Sequence, residues 1–236
     1  VIPNHTVVGT NVLGEAAPLL KKMGNKAFIV TGRHVAVSDM MKQLTALLDE
    51  NGIGCVIFDG ITGEPTDTMI EKGVEMLKSS GCDFIIGIGG GSPLDSAKAI
   101  AAMAVNEGSI ADYNGKEITG EILPLAAIPT TAGTGSEATK FTVITDSEKG
   151  IKMLLKGEVL VPKLAIVDSS FTVGAPKLVT SATGLDALTH AVEAYTSRKA
   201  FSMTDTLAVS AVKRIMKYLP IAYREPDNSL AREQMS

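Results

Sequence analysis

The sequence predicts an α/β protein with a doubly wound, mostly parallel sheet, a β-hairpin insertion and, after it, the start of an all-helical domain. Apolar runs alternate with helical patterns up to about residue 128, and this β-α-β order favours parallel strands joined by crossover helices. The run at residues 83–88 is apolar nearly throughout, as expected for a strand covered on both faces. From about residue 183 onward no strand pattern is seen.

The elements of the first part follow in regular order. Helical spacing of Met41, Leu44 and Leu48 predicts one helix, and Gly81 is the expected stop of the next. The predicted strands are residues 26–31, 55–58, 83–88 and 123–128. The predicted helices between them are residues 40–50, 66–80 and 93–104.

The pattern changes after residue 140. Two apolar runs, 141–145 and 151–155, flank a polar five-residue loop and predict a β-hairpin. A further strand is expected at residues 164–168, and helices at 185–196 and 204–218. We therefore expect a nucleotide-binding type of α/β domain at 1–180 and the beginning of a helical domain at 181–236.

Composition excludes several classes of function. The net charge is -4, and lysines and arginines are scattered, which argues against nucleic acid as a partner. No apolar stretch approaches the roughly 20 residues of a membrane span. No signal peptide is visible, and Cys55 and Cys82 are read as two reduced core thiols, so we expect a cytoplasmic protein.

The sequence GGGSPLD at positions 89–95 separates the third strand from the third helix. Glycines let backbone N–H groups approach an anion, and we expect Ser92 as N-cap, Pro93 as first helical residue and Asp95 reaching back to the cap. The free N–H groups and the helix dipole then suit a pyrophosphate. A tight turn without a ligand is the alternative, and the spacing is not the GxGxxG of the usual dinucleotide motif.

A second polar loop, PTTAGTGSE at positions 129–137, follows the fourth strand. Its hydroxyls, among them those of Thr130, Thr131 and Thr134, could hold a phosphate or a nicotinamide amide. The alternative is an ordinary polar loop. Two such loops after neighbouring parallel strands lie where open α/β sheets bind ligands.

Asp186 and His190 lie four residues apart in a strongly helical run, GLDALTHAVEAY at positions 184–195. Such side chains share one face of a helix, and a carboxylate beside an imidazole makes half of a divalent-metal site. A simple hydrogen bond between the two side chains is the alternative.

Together, the motifs at 89–95, 129–137 and 184–195 resemble those of the iron-containing (group III) alcohol dehydrogenases, in the same order. The resemblance implies a Rossmann-like nucleotide-binding domain followed by a helical domain, and hydride transfer between a small alcohol or aldehyde and NAD(P). It also implies a divalent metal, usually Fe²⁺ with Zn²⁺ possible, and leaves open a homodimer.

The resemblance also implies roles for individual residues. Gly90, Gly91 and Ser92 match the pyrophosphate turn, Asp95 an acid near the nicotinamide, Thr130 and Thr131 the nucleotide-contacting threonines, Lys152 a lysine on the cofactor ribose, and Asp186 and His190 the first two metal ligands. The family's other two ligands are histidines further into the helical domain. This chain has only His5 and His34 besides His190, both read as structural or surface residues, so we expect a chain cut within that domain.

The sequence leaves open both the choice between NAD and NADP and the class of reaction. The first strand is followed by Gly32, Arg33 and His34 in place of an acid, so a 2′-phosphate would not be repelled and NADP is as acceptable as NAD. The metal would act as a Lewis acid on the substrate oxygen, and no residue is a convincing general base. A polyol dehydrogenase or dehydroquinate-synthase-like enzyme of the same plan, or an inactive nucleotide-binding module, are the other interpretations.

Overall fold

The computed structural model describes residues 2–236 and contains a six-stranded sheet in the order β1-β8-β5-β4-β2-β3. A separate two-stranded sheet joins β6 and β7. The strands are β1 (His5–Gly9), β2 (Lys26–Val30), β3 (Gly54–Phe58), β4 (Phe84–Gly89), β5 (Leu125–Pro129), β6 (Phe141–Asp146), β7 (Ile151–Lys156) and β8 (Leu164–Asp168).

Eight α-helices and several short 3-10 segments accompany the strands over residues 2–236. The helices are α1 (Ala17–Met23), α2 (Arg33–Ala36), α3 (Asp39–Glu50), α4 (Asp67–Ser80), α5 (Gly91–Met103), α6 (Lys177–Thr196), α7 (Ser202–Arg224) and α8 (Ser229–Met235).

The central strands are parallel, as their apolar composition predicts. β2 pairs with β3 on one side and β4 on the other, β4 pairs with β5, and β5 with β8, all parallel. Every residue of β4 and β5 is buried. The predicted fold class, a doubly wound and mostly parallel sheet followed by a helical part, is confirmed.

The strand order reverses between β2 and β4. From β2 the chain goes first to β3 on one side and then, through α4, to β4 on the other. In open α/β sheets, ligands bind outside the carboxyl ends of the strands at such a reversal. Here those ends are followed by Gly32 after β2 and by the turn at residues 89–92 after β4.

The predicted hairpin is present, with strands one residue longer than expected. Val143 pairs with Leu154 and Thr145 with Lys152 in antiparallel register. Because β6 extends to Asp146, the loop has four residues, 147–150, in place of the predicted five.

The chain divides into two compact units. Unit 1 contains the residues up to Val7, Val12–Pro129 and Ser136–Val167. Unit 2 contains Val8–Asn11, Thr130–Gly135 and Asp168–Ser236. The expected domain bounds, 1–180 and 181–236, stay a prediction.

Both cysteines have free thiols and are half-buried. Within residues 2–236 none of the helices combines the length and the apolar character needed to cross a bilayer.

Candidate functional site

The turn that follows β4 has a backbone that only glycine adopts easily. Gly89 has φ +146°, and a Cβ built there would lie 2.7 Å from Cγ of Pro93. Gly90 is the N-cap of α5, with extended backbone and no side-chain cap, and Gly91 is the first helical residue. In this first turn the N–H groups of Gly91 and Ser92 have no carbonyl partner within the helix, so they are available to an anion.

The expected helix start was wrong by about two residues. Ser92 and Pro93 are the second and third residues of α5, so Ser92 is not its N-cap. Gly90 occupies the N-cap position in an extended conformation. Because it has no side chain, it does not cover the free N–H groups of the first helical turn. The carboxylate of Asp95 is also not directed to the cap, as described next.

Asp95 is bound to the segment that leads into the hairpin. One carboxylate oxygen accepts a hydrogen bond from Ser136 Oγ, and the other accepts from Val143 N at 2.9 Å. Burial raises the pKa of Asp95, and the bonds from Ser136 and Val143 oppose that rise. Asp95 was predicted to lie near a nicotinamide; both of its oxygens have protein partners in unit 1, and its role towards a cofactor stays a prediction.

Sequence reasoning missed Lys98, which is fully buried one turn after Asp95. Its Nζ donates to Thr139 O at 2.8 Å, Thr139 Oγ1 at 2.9 Å and Phe141 O at 2.9 Å. Burial lowers the pKa of Lys98 to about 8, while Asp95 and Glu137 favour the charged form. Burial likewise raises the pKa of Glu137. The available signal was a lysine within the otherwise apolar run of residues 97–103 in α5, a pattern unexpected on a buried helix face.

The two other predicted cofactor residues of unit 1 are spaced along its surface. Gly32 caps the short helix α2, and a Cβ there would lie 3.0 Å from Ile61 O. Lys152 on β7 is mostly exposed and forms an ion pair with Glu64 at 2.5 Å. An exposed lysine in such a pair is free to exchange its partner for a ligand at little cost.

The threonine loop belongs to unit 2 and packs on α6. A Cβ at Gly133 would lie 2.7 Å from Thr183 O, so the loop approaches the helix backbone closely. Thr130 is buried, whereas Thr131 and Thr134 are half-buried. Thr130 and Thr131 line a cavity of about 20 Å³, which has room for about one water molecule and not for a nicotinamide. Any nucleotide contact by these hydroxyls would therefore be made on the surface of the loop.

Asp186 and His190 lie together on one face of α6, as predicted. His190 Nε2 is 3.6 Å from Asp186 Oδ1, and both side chains are about half exposed. That distance is too long for a hydrogen bond, so the two groups remain available as metal donors. Among residues 2–236 no cluster of three or more His, Cys, Asp or Glu side chains is placed to hold a metal. A carboxylate oxygen and an imidazole nitrogen are donor types that suit Fe²⁺ or Zn²⁺, and the role of this pair as metal ligands stays a prediction.

Comparison with known families decides the relationship. Residues 3–169 match the model of iron-containing alcohol dehydrogenases, and residues 180–236 match the C-terminal model of the same family. The chain belongs to the iron-containing alcohol dehydrogenase family. The resemblance inferred from the three motifs is confirmed.

Relatives in this family are similar over the whole chain. NAD-dependent methanol dehydrogenase of Bacillus methanolicus is 40% identical over 237 residues, which is 100% of this chain and 62% of that protein. 1,3-Propanediol dehydrogenase of Citrobacter freundii is 40% identical over 242 residues, which is again 100% of this chain and 62% of that protein. The chain therefore spans about 62% of the length of these relatives.

Solved structures of the family have the same fold. A 1,3-propanediol oxidoreductase superposes with a TM-score of 0.97 at 36% identity, over 100% of this chain and 62% of that one. Sulfoacetaldehyde reductase from Bifidobacterium kashiwanohense, in complex with NAD+, superposes with a TM-score of 0.94 at 34% identity, over 100% of this chain and 63% of that one. These comparisons establish family and fold, while the roles of individual residues stay predictions.

Proposed function

We propose that this chain binds a nicotinamide dinucleotide and forms part of an enzyme that transfers hydride between a small alcohol and NAD(P). The observation that carries the proposal is the glycine turn at residues 89–92, which opens a helix N-terminus beside the reversal of strand order. Membership of the iron-containing alcohol dehydrogenase family supports it, and so do relatives named for NAD-dependent methanol and 1,3-propanediol oxidation.

In this proposal the residues of unit 1 bind and orient the cofactor. The N–H groups of Gly91 and Ser92 hold the pyrophosphate, and the positive end of the α5 dipole favours its negative charge. Lys152 reaches the cofactor ribose after leaving Glu64. In unit 2, taken by itself, Thr130, Thr131 and Thr134 are the proposed hydroxyl donors to a nucleotide.

The proposed metal donors are Asp186 and His190 of unit 2. When bound, a divalent metal supplies Lewis-acid polarisation of the substrate oxygen. The part played by the chain itself is to present the carboxylate and the imidazole on one helical face, at 3.6 Å from each other. Small alcohols or aldehydes are the proposed substrates. A homodimer and a cytoplasmic location are further parts of the proposal.

A substitution at Gly91 tests the cofactor site. Gly91→Val places a branched side chain where we expect the pyrophosphate, at the first position of a helix, where φ is not positive and L residues are allowed. Calorimetric titration with NADH and NADPH should give a dissociation constant at least tenfold larger, a loss of roughly 1.4 kcal/mol of binding free energy. Gly14→Val is the control, because a Cβ at Gly14 meets no atom within 4 Å. Equal affinity of Gly91→Val and the unaltered chain would refute the assignment.

A second candidate is a nucleotide-binding protein without activity. The observation that favours it is that residues 2–236 supply two metal donors and no third beside them. Alcohol-dependent reduction of NAD(P), measured with and without added Fe²⁺, separates the two candidates. The same assay with a polyol as substrate tests the polyol dehydrogenase alternative.

A further inference from the structure

A set of polar contacts joins helix α5 to strand β6 inside unit 1. Lys98 is fully buried, and an ammonium group has three donors, which here meet three acceptors at 2.8–2.9 Å on Thr139 and Phe141. Two of the three acceptors are backbone carbonyls at the entrance to β6. A buried charge with a full set of partners fixes geometry more strictly than apolar packing does.

Asp95 extends these contacts one helical turn towards the glycine turn. Its carboxylate accepts from Ser136 Oγ and from Val143 N, and its backbone carbonyl accepts from Thr142 Oγ1 at 2.8 Å. Asp95 and Lys98 are three residues apart and therefore lie on the same face of α5. We call these bonds from Asp95 and Lys98 to residues 136–143 the α5–β6 contact.

The hairpin is separate from the main sheet, and besides the bonds from α5 it is tied to unit 1 by backbone bonds from Thr145 N to Pro65 O and from Ile118 N to Lys156 O. A two-stranded hairpin is at best marginally stable alone. Its inner face is apolar, with Ile144, Met153 and Leu155 buried, and a buried face already specifies the register between β6 and β7. The directional bonds from α5 to the β6 backbone add the position of the hairpin on that helix, and through β7 they bear on the position of Lys152, the partner of Thr145.

We propose that Lys98 is a positioning residue that locks the hairpin onto the helix bearing the glycine turn and thereby sets where Lys152 meets a bound dinucleotide. Lys98 itself touches no cofactor, since its three donors are used within unit 1. The charged groups beside it are Asp95 on α5 and Glu137. The part concerning the cofactor rests on the proposed function, whereas the part concerning the hairpin does not.

Hydrogen exchange tests the hairpin part directly. Lys98→Met keeps the length and apolar stem of the side chain and removes only the ammonium. Amides of β6 and β7 should exchange at least about tenfold faster, while those of β2 and β4 keep their rates. Lys42→Met, which removes an exposed lysine from α3, is the control. No change, or an equal change in all strands, would overturn the proposal.

A double-mutant cycle on the dinucleotide dissociation constant tests the link to Lys152. Lys98→Met should weaken binding about fivefold or more in the unaltered chain and have little effect once Lys152→Met is present, because both act through one contact. If the two substitutions instead weakened binding by independent factors that multiply in the double variant, the link between Lys98 and Lys152 would be overturned. If the unaltered chain bound no dinucleotide, the proposed function would fail, and the exchange rates would still decide the role of Lys98. Should Lys98→Met not fold, Thr139→Val removes one acceptor and must accelerate exchange in the same two strands for the proposal to hold.

Discussion

Lys98 places a positive charge in the interior of unit 1, and its protonation should make the free energy of unfolding depend on pH. Burial lowers its pKa from 10.5 to about 8 in the folded chain. Between these two pH values the unfolded chain binds more protons than the folded chain, so the free energy of unfolding contributed by Lys98 rises with pH. Below about pH 8 both states are protonated and this dependence vanishes.

The prediction is therefore a difference between two variants. Urea unfolding at about pH 7.5, 9 and 10 should show the unaltered chain gaining stability relative to Lys98→Met, by up to about 1.4 kcal/mol per pH unit. Other titrating groups are common to both chains and cancel in the difference. Parallel curves for the two chains would show that Lys98 keeps its ordinary pKa.

Gly32 supports a second prediction, on cofactor choice. With no carboxylate after β2, NADPH should bind at least comparably with NADH, since nothing there repels a 2′-phosphate. Gly32→Asp should shift the preference towards NADH. Because any Cβ there lies 3.0 Å from Ile61 O, Gly32→Ala is the control that separates crowding from charge. A preference of the unaltered chain for NADH by about a hundredfold, roughly 2.7 kcal/mol, would contradict the prediction.

The glycine turn and the spacing of Asp186 and His190 could be predicted from sequence because each depends on a local pattern. The turn at residues 89–92 was found since three glycines before a helix have few other uses, and Asp186 with His190 since helix period alone sets their distance. The function of Asp95 within the fold was not predictable. Its partners Ser136 and Val143 lie 41 and 48 residues further along the chain, and no local pattern carries such contacts.

At the level of elements, α5 lies close against β4 because β4 contains Gly87, which has no side chain facing the helix. A Cβ at Gly87 would lie 2.8 Å from Cβ of Ala97 and 3.2 Å from Cδ2 of Leu94. Since Ala97 cannot rotate away, a side chain at position 87 must push the helix from the sheet. The N-terminus of α5, which carries the glycine turn, would move with it.

Gly87→Ala should accordingly lower the free energy of unfolding by about 1–3 kcal/mol and weaken dinucleotide binding as well. Gly14→Ala, at a site open to solvent, should change neither quantity noticeably. Denaturant unfolding together with calorimetric titration measures both. Weakened stability with unchanged affinity would mean that α5 adjusts without moving its first turn.

Element type was more predictable than element length. The helix predicted at 185–196 begins at Lys177, and the one predicted at 204–218 runs to Arg224 through Pro220. The first turns of α6 contain threonine, serine and Gly184, which are weak helix formers. Packing stabilises them, since Gly184 lets Leu219 of α7 approach closely. Four elements were not predicted, since each is short and lacks a clear period: β1, α1, α2 and α8.

Over the whole molecule, the family match covers most of both units, and each unit carries its own predicted site residues. Unit 1 holds the glycine turn and the hairpin. Unit 2 holds the two predicted metal donors, Asp186 and His190, on one half-exposed helix face. We therefore expect dinucleotide binding and metal binding to be separable properties of this chain.

The last prediction follows from that separation. A metal held by two protein donors must complete its shell with water, and water recovers only part of the lost coordination energy. After loading with Fe²⁺ or Zn²⁺ and dialysis, this 236-residue chain should retain far less than one metal per chain, and Asp186→Ala or His190→Ala should hardly change that content. Chelation by EDTA should leave the dissociation constant for NADH unaltered. One tightly held metal per chain, lost on either substitution, would mean that further donors join Asp186 and His190.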